Sequence, residues 1–226
     1  MSIKGVIFDL DGTILDSTWV WSQVDIDFLG ERGFDVPPDY SQAIISMGFG
    51  DVAKYTIARF GLKETKEEVM AQWNSMAQAA YEHEVKLKPG TKEFLLWLKE
   101  HDIRAGIATS NRDALFVPCL QNNGIYELFH SYTETGDVSR GKEFPDVYIK
   151  EAQKMGCAPQ ECMVLEDIIP ALQGARQGGF RTVGVREAKW NYAEEELAEN
   201  CEYVISDMRE MIAFISGYKS GVTKSC

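Results

Sequence analysis

The chain has 226 residues, 45% hydrophobic and 26% charged, which is enough for a full core and a smaller accessory domain. Its formal net charge is −12, and no Lys/Arg run is present that would displace counterions from phosphates, so nucleic acid is excluded as a partner. No membrane partner is expected either: MSIKGVIFDL lacks the shape of a signal peptide, and no apolar stretch approaches about 18 residues.

In chain order, the first apolar run is Gly5–Phe8, a strand fit for burial whose end presents Asp9 and Asp11, with Gly12 and Asp16 after them. From about Ser17 to Lys88 the strand signal fades. Val69, Trp73, Met76 and Ala80 recur at helical spacing, Thr65-x-x-Glu68 reads as a capping box, and Pro37-Pro38 and Gly61 punctuate the stretch. Inside it, Gly48-Phe49-Gly50-Asp51-Val52-Ala53 follows the apolar run Ala43–Ile45 and matches G-x-G-x-x-A. A dinucleotide fingerprint needs a surrounding βαβ unit, so a loop between helices is expected there instead.

The strand-and-helix alternation resumes at Pro89-Gly90. Strands are predicted at Arg104–Ala108, Phe129–Thr133, Met163–Leu165, Thr182–Val185 and Tyr203–Ile205. Helical faces run through Phe94, Leu95 and Leu98, and through Val147, Tyr148 and Ala152. The tail Ser216–Cys226, rich in Ser, Gly and Lys, is expected to fray.

Short apolar strands alternating with helices imply a parallel sheet covered on both faces. The predicted fold is α/β, a three-layer Rossmann-like parallel sheet core with an inserted α-helical cap domain. Residues 1–16 and 89–226 form the predicted catalytic core, and 17–88 the cap. The five cysteines (Cys119, Cys157, Cys162, Cys201, Cys226) form no CxxC, and His83, His101 and His130 lie far apart. Reduced thiols in a cytoplasmic protein are expected, and no zinc site.

In open α/β sheets ligands bind beyond the carboxyl ends of the strands. Beyond successive strands here lie Asp9 and Asp11, then Thr109, Ser110 and Asn111, then Gly141-Lys142, then Glu166 and Asp167. Two carboxylates about 4 Å apart repel by roughly 4 kcal/mol at an effective dielectric of about 20, so such a group of acids calls for a cation. Oxygen ligands with water left over suit Mg²⁺. Any one of these acids alone would read as a solvated turn residue; at successive strand ends, beside a lysine, they read as a metal–phosphate site.

"FDLDGT", "IATSN", "GKEFPD" and "VLED" resemble, in order, the four motifs of the haloacid dehalogenase superfamily. The spacing is similar to the β-phosphoglucomutase and phosphoglycolate phosphatase branch, whose helical cap lies between the first two motifs and sets substrate specificity. The resemblance implies that Asp9 is the nucleophile and Asp11 the general acid and base. It implies Mg²⁺ on the side chains of Asp9 and Asp167, on the backbone carbonyl of Asp11 and, through water, on Glu166. Thr109, Ser110, Asn111 and Lys142 are the implied phosphate-binding residues, although Asn111 is equally readable as a helix cap. Asp16 reads as the start of the hinge into the cap.

The implied activity is Mg²⁺-dependent hydrolysis of a small phosphorylated metabolite through an aspartyl-phosphate, by a monomeric protein. Alternatives are a β-phosphoglucomutase-like phosphosugar mutase and a weakly active phosphometabolite-binding protein. Asp11 argues against dehalogenation, and Asp51 stands where a phosphonatase would carry its cap lysine. Trp21 and Phe49-Gly50 occupy the neighbourhoods of a mutase's cap histidine and arginine. Glu143-Phe144 depart from the usual G-K-P-x-P-D, and Ile168-Ile169-Pro170-Ala171 depart from the usual Ser-x-x-Gly, which bears on the loop that positions Asp167.

Overall fold

The structure, a computed structural model, describes residues 3–44, 47 and 49–219. Contacts divide the chain into two units, Met1–Ser17 with Val85–Cys226, and Thr18–Glu84. Strand β1 (Gly5–Phe8) is fully buried, as its unbroken apolar run requires, and leads through a tight loop to β2 (Leu15–Asp16).

The smaller unit is helical: α1 (Val20–Gly30), α2 (Tyr40–Ile44), α3 (Phe49–Phe60) and α4 (Lys66–His83). The predicted capping box is present. The Thr65 hydroxyl accepts from the Glu68 amide while the Glu68 carboxylate accepts from the Thr65 amide, so two otherwise orphaned donors at the start of α4 are satisfied. Val69, Trp73, Ala77, Ala80 and Tyr81 form the buried face of α4, with Met76 half-buried beside them. Phe28 and Phe49 pack on Trp73, ring centroids 5.4 and 5.7 Å apart.

The expected loop at the G-x-G-x-x-A stretch is corrected: Phe49 to Ala53 form the start of α3. Gly48, and Ile45 of the preceding apolar run, lie outside the described residues. No strand occurs among the described residues of this unit, so the dinucleotide fingerprint has no βαβ setting.

The chain then continues as β3 (Lys86–Leu87), antiparallel to β2 with Leu15 opposite Leu87. This pairing places residues 85–88 with the larger unit. There follow α5 (Thr91–Glu100), β4 (Arg104–Thr109), α6 (Asp113–Asn122), β5 (Ser131–Glu134) and α7 (Asp146–Lys154). Next come β6 (Cys162–Glu166), α8 (Ile169–Gln177), β7 (Arg181–Val185), α9 (Glu194–Glu199), β8 (Tyr203–Ile205) and α10 (Glu210–Lys219).

Six strands make one parallel sheet in the order β5-β4-β1-β6-β7-β8. Helices flank it, giving the α/β Rossmann-like fold. The sequence runs outward from β1 to one edge, then returns to β6 on the other side. The β1/β6 boundary is therefore the topological switch point, where such sheets open a crevice for ligands.

Two local expectations shift. Phe129 precedes β5 instead of opening it, because a 3₁₀ turn at Tyr126–Leu128 carries the chain in and Phe129 packs edge-on to Phe8. Ser216 to Lys219 are helical, held by burial of Met211 and Ile215 on α10; residues 220–226 lie outside the described residues.

Candidate active site

The register of the sheet sets the site. Phe8 pairs with Ile107 on one side and Leu165 on the other, so the residue after β1 stands level with the ends of β4 and β6. The Asp9 amide donates to Leu165 O at 3.0 Å, which extends that alignment by one residue. Beyond it the chain must turn sharply. Leu10 O accepts from the amides of Thr13, Ile14 and Leu15, and Gly12 sits at φ +87°, a conformation that an L side chain resists.

Three carboxylates meet here. Oxygens of Asp9, Glu166 and Asp167 all lie within 4.8 Å of one another, and the three residues are buried. Lys142 reaches them from the loop before α7, donating to Asp9 Oδ1 and to Glu166 Oε1, the latter at 2.7 Å. Gly174 on α8 lets that loop come close, since a Cβ there would stand 2.1 Å from Lys142 O. Tyr148, read from sequence only as a helix-face residue, donates its hydroxyl to the same Glu166 Oε1 at 2.7 Å. Asp167 accepts from Thr13 Oγ1 at 3.3 Å and from the Trp190 indole N–H.

Burial and mutual repulsion decide the charge states. Burial pushes Glu166 up to about 8, against the pull of Lys142 and with added repulsion from Asp9 and Asp167. Burial and then Asp9 raise Asp167 to about 7, with the Trp190 hydrogen bond opposing. Burial alone would favour the neutral amine of Lys142, yet Asp9 and Glu166 outweigh it and hold its pKa above the ordinary lysine value.

Both raised acids keep protons in the folded state at pH values where the unfolded chain, near 4.5 for Glu and 3.8 for Asp, has lost them. Their stabilisation is therefore fully present below the unfolded values and is lost as pH rises through about 7 and 8. In chelator, the melting temperature is expected to fall steadily between about pH 5 and pH 8. Added Mg²⁺ should flatten that slope. A metal-free melting temperature that climbs across this window would contradict the buried acid cluster.

Asp11 is turned elsewhere. Its carboxylate accepts from Ser17 Oγ at 2.6 Å and from Asn111 Nδ2 at 3.0 Å, and its side chain is not in the three-acid cluster. Asn111 does not cap α6: its Oδ1 accepts from the next amide, Arg112 N, at 2.8 Å, while its amide group holds Asp11. Thr109 is buried at the end of β4 with its hydroxyl accepting from Asn111 N at 3.0 Å, and Ser110 is exposed on the turn beyond. Asp16 is exposed on β2, paired across the strands with Lys86.

The residues present fit a divalent cation. Glu166 Oε2 is fully buried and has no hydrogen-bond partner, an arrangement that costs about 1–3 kcal/mol or more for a charged group unless something completes it. Three hard carboxylate oxygens, from Asp9, Glu166 and Asp167, within 4.8 Å of one another are the donor chemistry that Mg²⁺ takes.

Sequence reasoning missed Thr13, Ser17, Tyr148 and Trp190 as members of this constellation. Thr13 stands inside the quoted D-x-D-G-T and Trp190 follows β7, the next strand over from β6, so motif and strand-end rules could have flagged both. Nothing in the sequence separates Tyr148 from its neighbours on the buried face of α7.

Comparison with known proteins places the chain in a family. Residues 6–185 match the model of the haloacid dehalogenase-like hydrolase family. A β-phosphoglucomutase from Bacillus subtilis (strain 168) is 29% identical over 200 residues, covering 83% of this chain and 85% of that protein. Hexitol phosphatase B from Escherichia coli (strain K12) is 25% identical over 189 residues, covering 81% of this chain and 83% of that protein. The crystal structure of β-phosphoglucomutase from Clostridium difficile superposes with a TM-score of 0.71 at 19% identity, covering 97% of this chain and all 100% of that one, a likeness of fold. The family match spans the segments that carry Asp9, Lys142, Glu166 and Asp167, and with it the chain is identified as a hydrolase belonging to the haloacid dehalogenase-like family.

Proposed function

We propose that the protein is a Mg²⁺-dependent phosphatase acting on a small phosphorylated metabolite through an aspartyl-phosphate on Asp9. The observation that carries this reading is the juxtaposition of Asp9 with Glu166, Asp167 and Lys142 at the switch point of the sheet, with Asp11 held apart. Asp9, Glu166 and Asp167 would hold Mg²⁺, which when bound offsets charge on the phosphoryl oxygens and on the acids themselves.

An Asp9 oxygen attacks phosphorus, and the ester P–O bond breaks as the O–P bond forms. Asp11, aimed by Ser17 and Asn111, gives its proton to the departing alkoxide. It then takes a proton from the water that attacks phosphorus, which frees Asp9 and releases inorganic phosphate. Lys142 fixes the attacking carboxylate and shares its charge between Asp9 and Glu166. Thr109, Ser110 and Asn111, on the neighbouring strand end, are proposed to meet the phosphoryl oxygens. Phosphoryl transfer rests mostly on positioning and charge neutralisation, which this set supplies. The helical unit 18–84 is proposed as the specificity-setting cap.

A mutase reading is favoured by one observation, the 29% identity to a protein named β-phosphoglucomutase. Such an enzyme must hold a second phosphate. In the helical unit Trp21 on α1 is 38% exposed and packs edge-on to Phe49, centroids 5.5 Å apart, and neither ring brings a positive charge. The hydrolase reading is therefore preferred, with a sugar phosphate or similar small ester as substrate class.

Following both products in one reaction separates them. With β-glucose 1-phosphate, primed by glucose 1,6-bisphosphate, free phosphate is expected without accumulation of glucose 6-phosphate. Glucose 6-phosphate forming much faster than free phosphate would establish the mutase. No phosphate release from para-nitrophenyl phosphate or a panel of sugar phosphates with Mg²⁺ would favour a binding protein.

A further inference from the structure

We propose that Trp190 is a positioning residue for the metal site: its indole N–H fixes the Asp167 carboxylate in the orientation that binds the cation. The inference rests on the proposed metal role of Asp167 and concerns a residue outside all four strand-end motifs.

A carboxylate on a turn needs donors to choose among its rotamers. The residue after Asp167 is Ile168, whose side chain can donate nothing, and α8 starts at Ile169 with Pro170, which has no amide hydrogen. The side-chain donors to Asp167 come from distant chain instead, Thr13 Oγ1 on Oδ1 and Trp190 Nε1 on Oδ2. An indole N–H is a donor only, on a rigid ring with two rotatable bonds, so it restricts the carboxylate more than a mobile hydroxyl would.

The turn that carries Trp190 is itself braced. Glu187 O accepts from the Trp190 amide at 3.3 Å and Glu187 Oε1 from the Lys189 amide at 3.1 Å. Glu187 Oε2 pairs with Lys88 Nζ at 2.6 Å, and that pair is largely buried, with side-chain exposures of 10% and 15%. Lys88 also donates to Arg186 O at 3.1 Å and to Gly12 O at 2.5 Å in the loop after β1. One connected set of bonds therefore runs from the loop that holds Asp9, through Lys88 and Glu187, to Trp190 and Asp167. It ties two ligands on adjacent strands to a common frame.

Groups that orient metal ligands typically change metal affinity or activity by about 10–100-fold when removed. The test is Mg²⁺ titration of the metal-free protein by calorimetry, for wild type, Trp190→Phe and Glu187→Ala. Trp190→Phe keeps an aromatic ring and deletes the N–H; its Mg²⁺ Kd should rise by about 10-fold or more, with a smaller rise for Glu187→Ala. Turnover of Trp190→Phe should recover most of the way at saturating Mg²⁺, with the KM for the phosphate ester near that of wild type. Mg²⁺ should also change the tryptophan fluorescence of wild type and leave that of Trp190→Phe nearly unchanged.

Wild-type Kd in a folded Trp190→Phe would overturn the proposal, even if its melting temperature falls, because a purely structural tryptophan would behave that way. Should Trp190→Phe fail to fold, Glu187→Ala decides: weakened Mg²⁺ binding supports the proposal and wild-type binding overturns it. Absence of Mg²⁺ binding by the wild type would instead overturn the metal reading, and the role of Trp190 with it.

Discussion

Asp9→Asn should lose essentially all turnover, about 10⁴-fold or more, while folding normally. An amide oxygen is a poor nucleophile toward phosphorus, and the three acids nearest to hand among the described residues are each held by other donors. Glu166 is bound by Lys142 and Tyr148, Asp167 by Thr13 and Trp190, and Asp11 by Ser17 and Asn111. The substitution also removes one charge from a crowded group. Asp9 raises the proton affinity of both Glu166 and Asp167, so the metal-free variant should melt at the same temperature as wild type or higher. Phosphate release and thermal unfolding on one preparation separate a catalytic loss from a folding defect. Residual turnover within tenfold of wild type would exclude the covalent route through Asp9. Asp11→Asn should fall less with para-nitrophenyl phosphate than with an alkyl phosphate, because a good leaving group needs less protonation.

Removal of Mg²⁺ should have a comparable effect. With EDTA in excess, activity is expected to drop to background and to return on adding Mg²⁺. Without the cation three buried carboxylates face one ammonium group, and the site accommodates them by taking up protons on Glu166 and Asp167. A substrate phosphate brought to that cluster meets repulsion instead of neutralisation. Ca²⁺ should bind without supporting turnover, since it accepts more ligands at longer distances and tolerates a bidentate Asp9, which would occupy the attacking oxygen. Undiminished activity in chelator would refute the metal assignment and leave the nucleophile assignment standing.

The α/β class, the family and the strand ends were all legible in the chain alone. Gly5–Phe8, Met163–Leu165 and Thr182–Val185 are too short and too evenly apolar to be anything but strands buried on both faces, and the capping box of Thr65 and Glu68 is a local bond that needs no tertiary partner. Residues just beyond such strands are placed by the strands, so Asp9, Thr109, Lys142, Glu166 and Asp167 could be read as a group from their order. Local signals failed where local alternatives are close in energy. Phe49 to Ala53 read as a loop from their glycines but lie in a helix whose aromatic residue packs on Trp73. Ser216 to Lys219 read as a fraying tail but complete a helix held by Met211 and Ile215.

Which acids share a centre was settled by the packing of the fold. Sequence spacing puts Asp11 two residues from Asp9, yet the turn at Gly12 directs its carboxylate to Ser17 and Asn111, leaving Asp9 with Glu166 and Asp167. Tyr148 and Trp190 carry no motif, and their hydrogen bonds exist only because the β6 end brings Glu166 and Asp167 within reach of α7 and of the turn after β7. Hydrophobic pattern is written in the chain because burial acts on each residue by itself. Hydrogen-bond partnership across 18 or 23 residues depends on the angles at which packed elements meet, which no local pattern encodes.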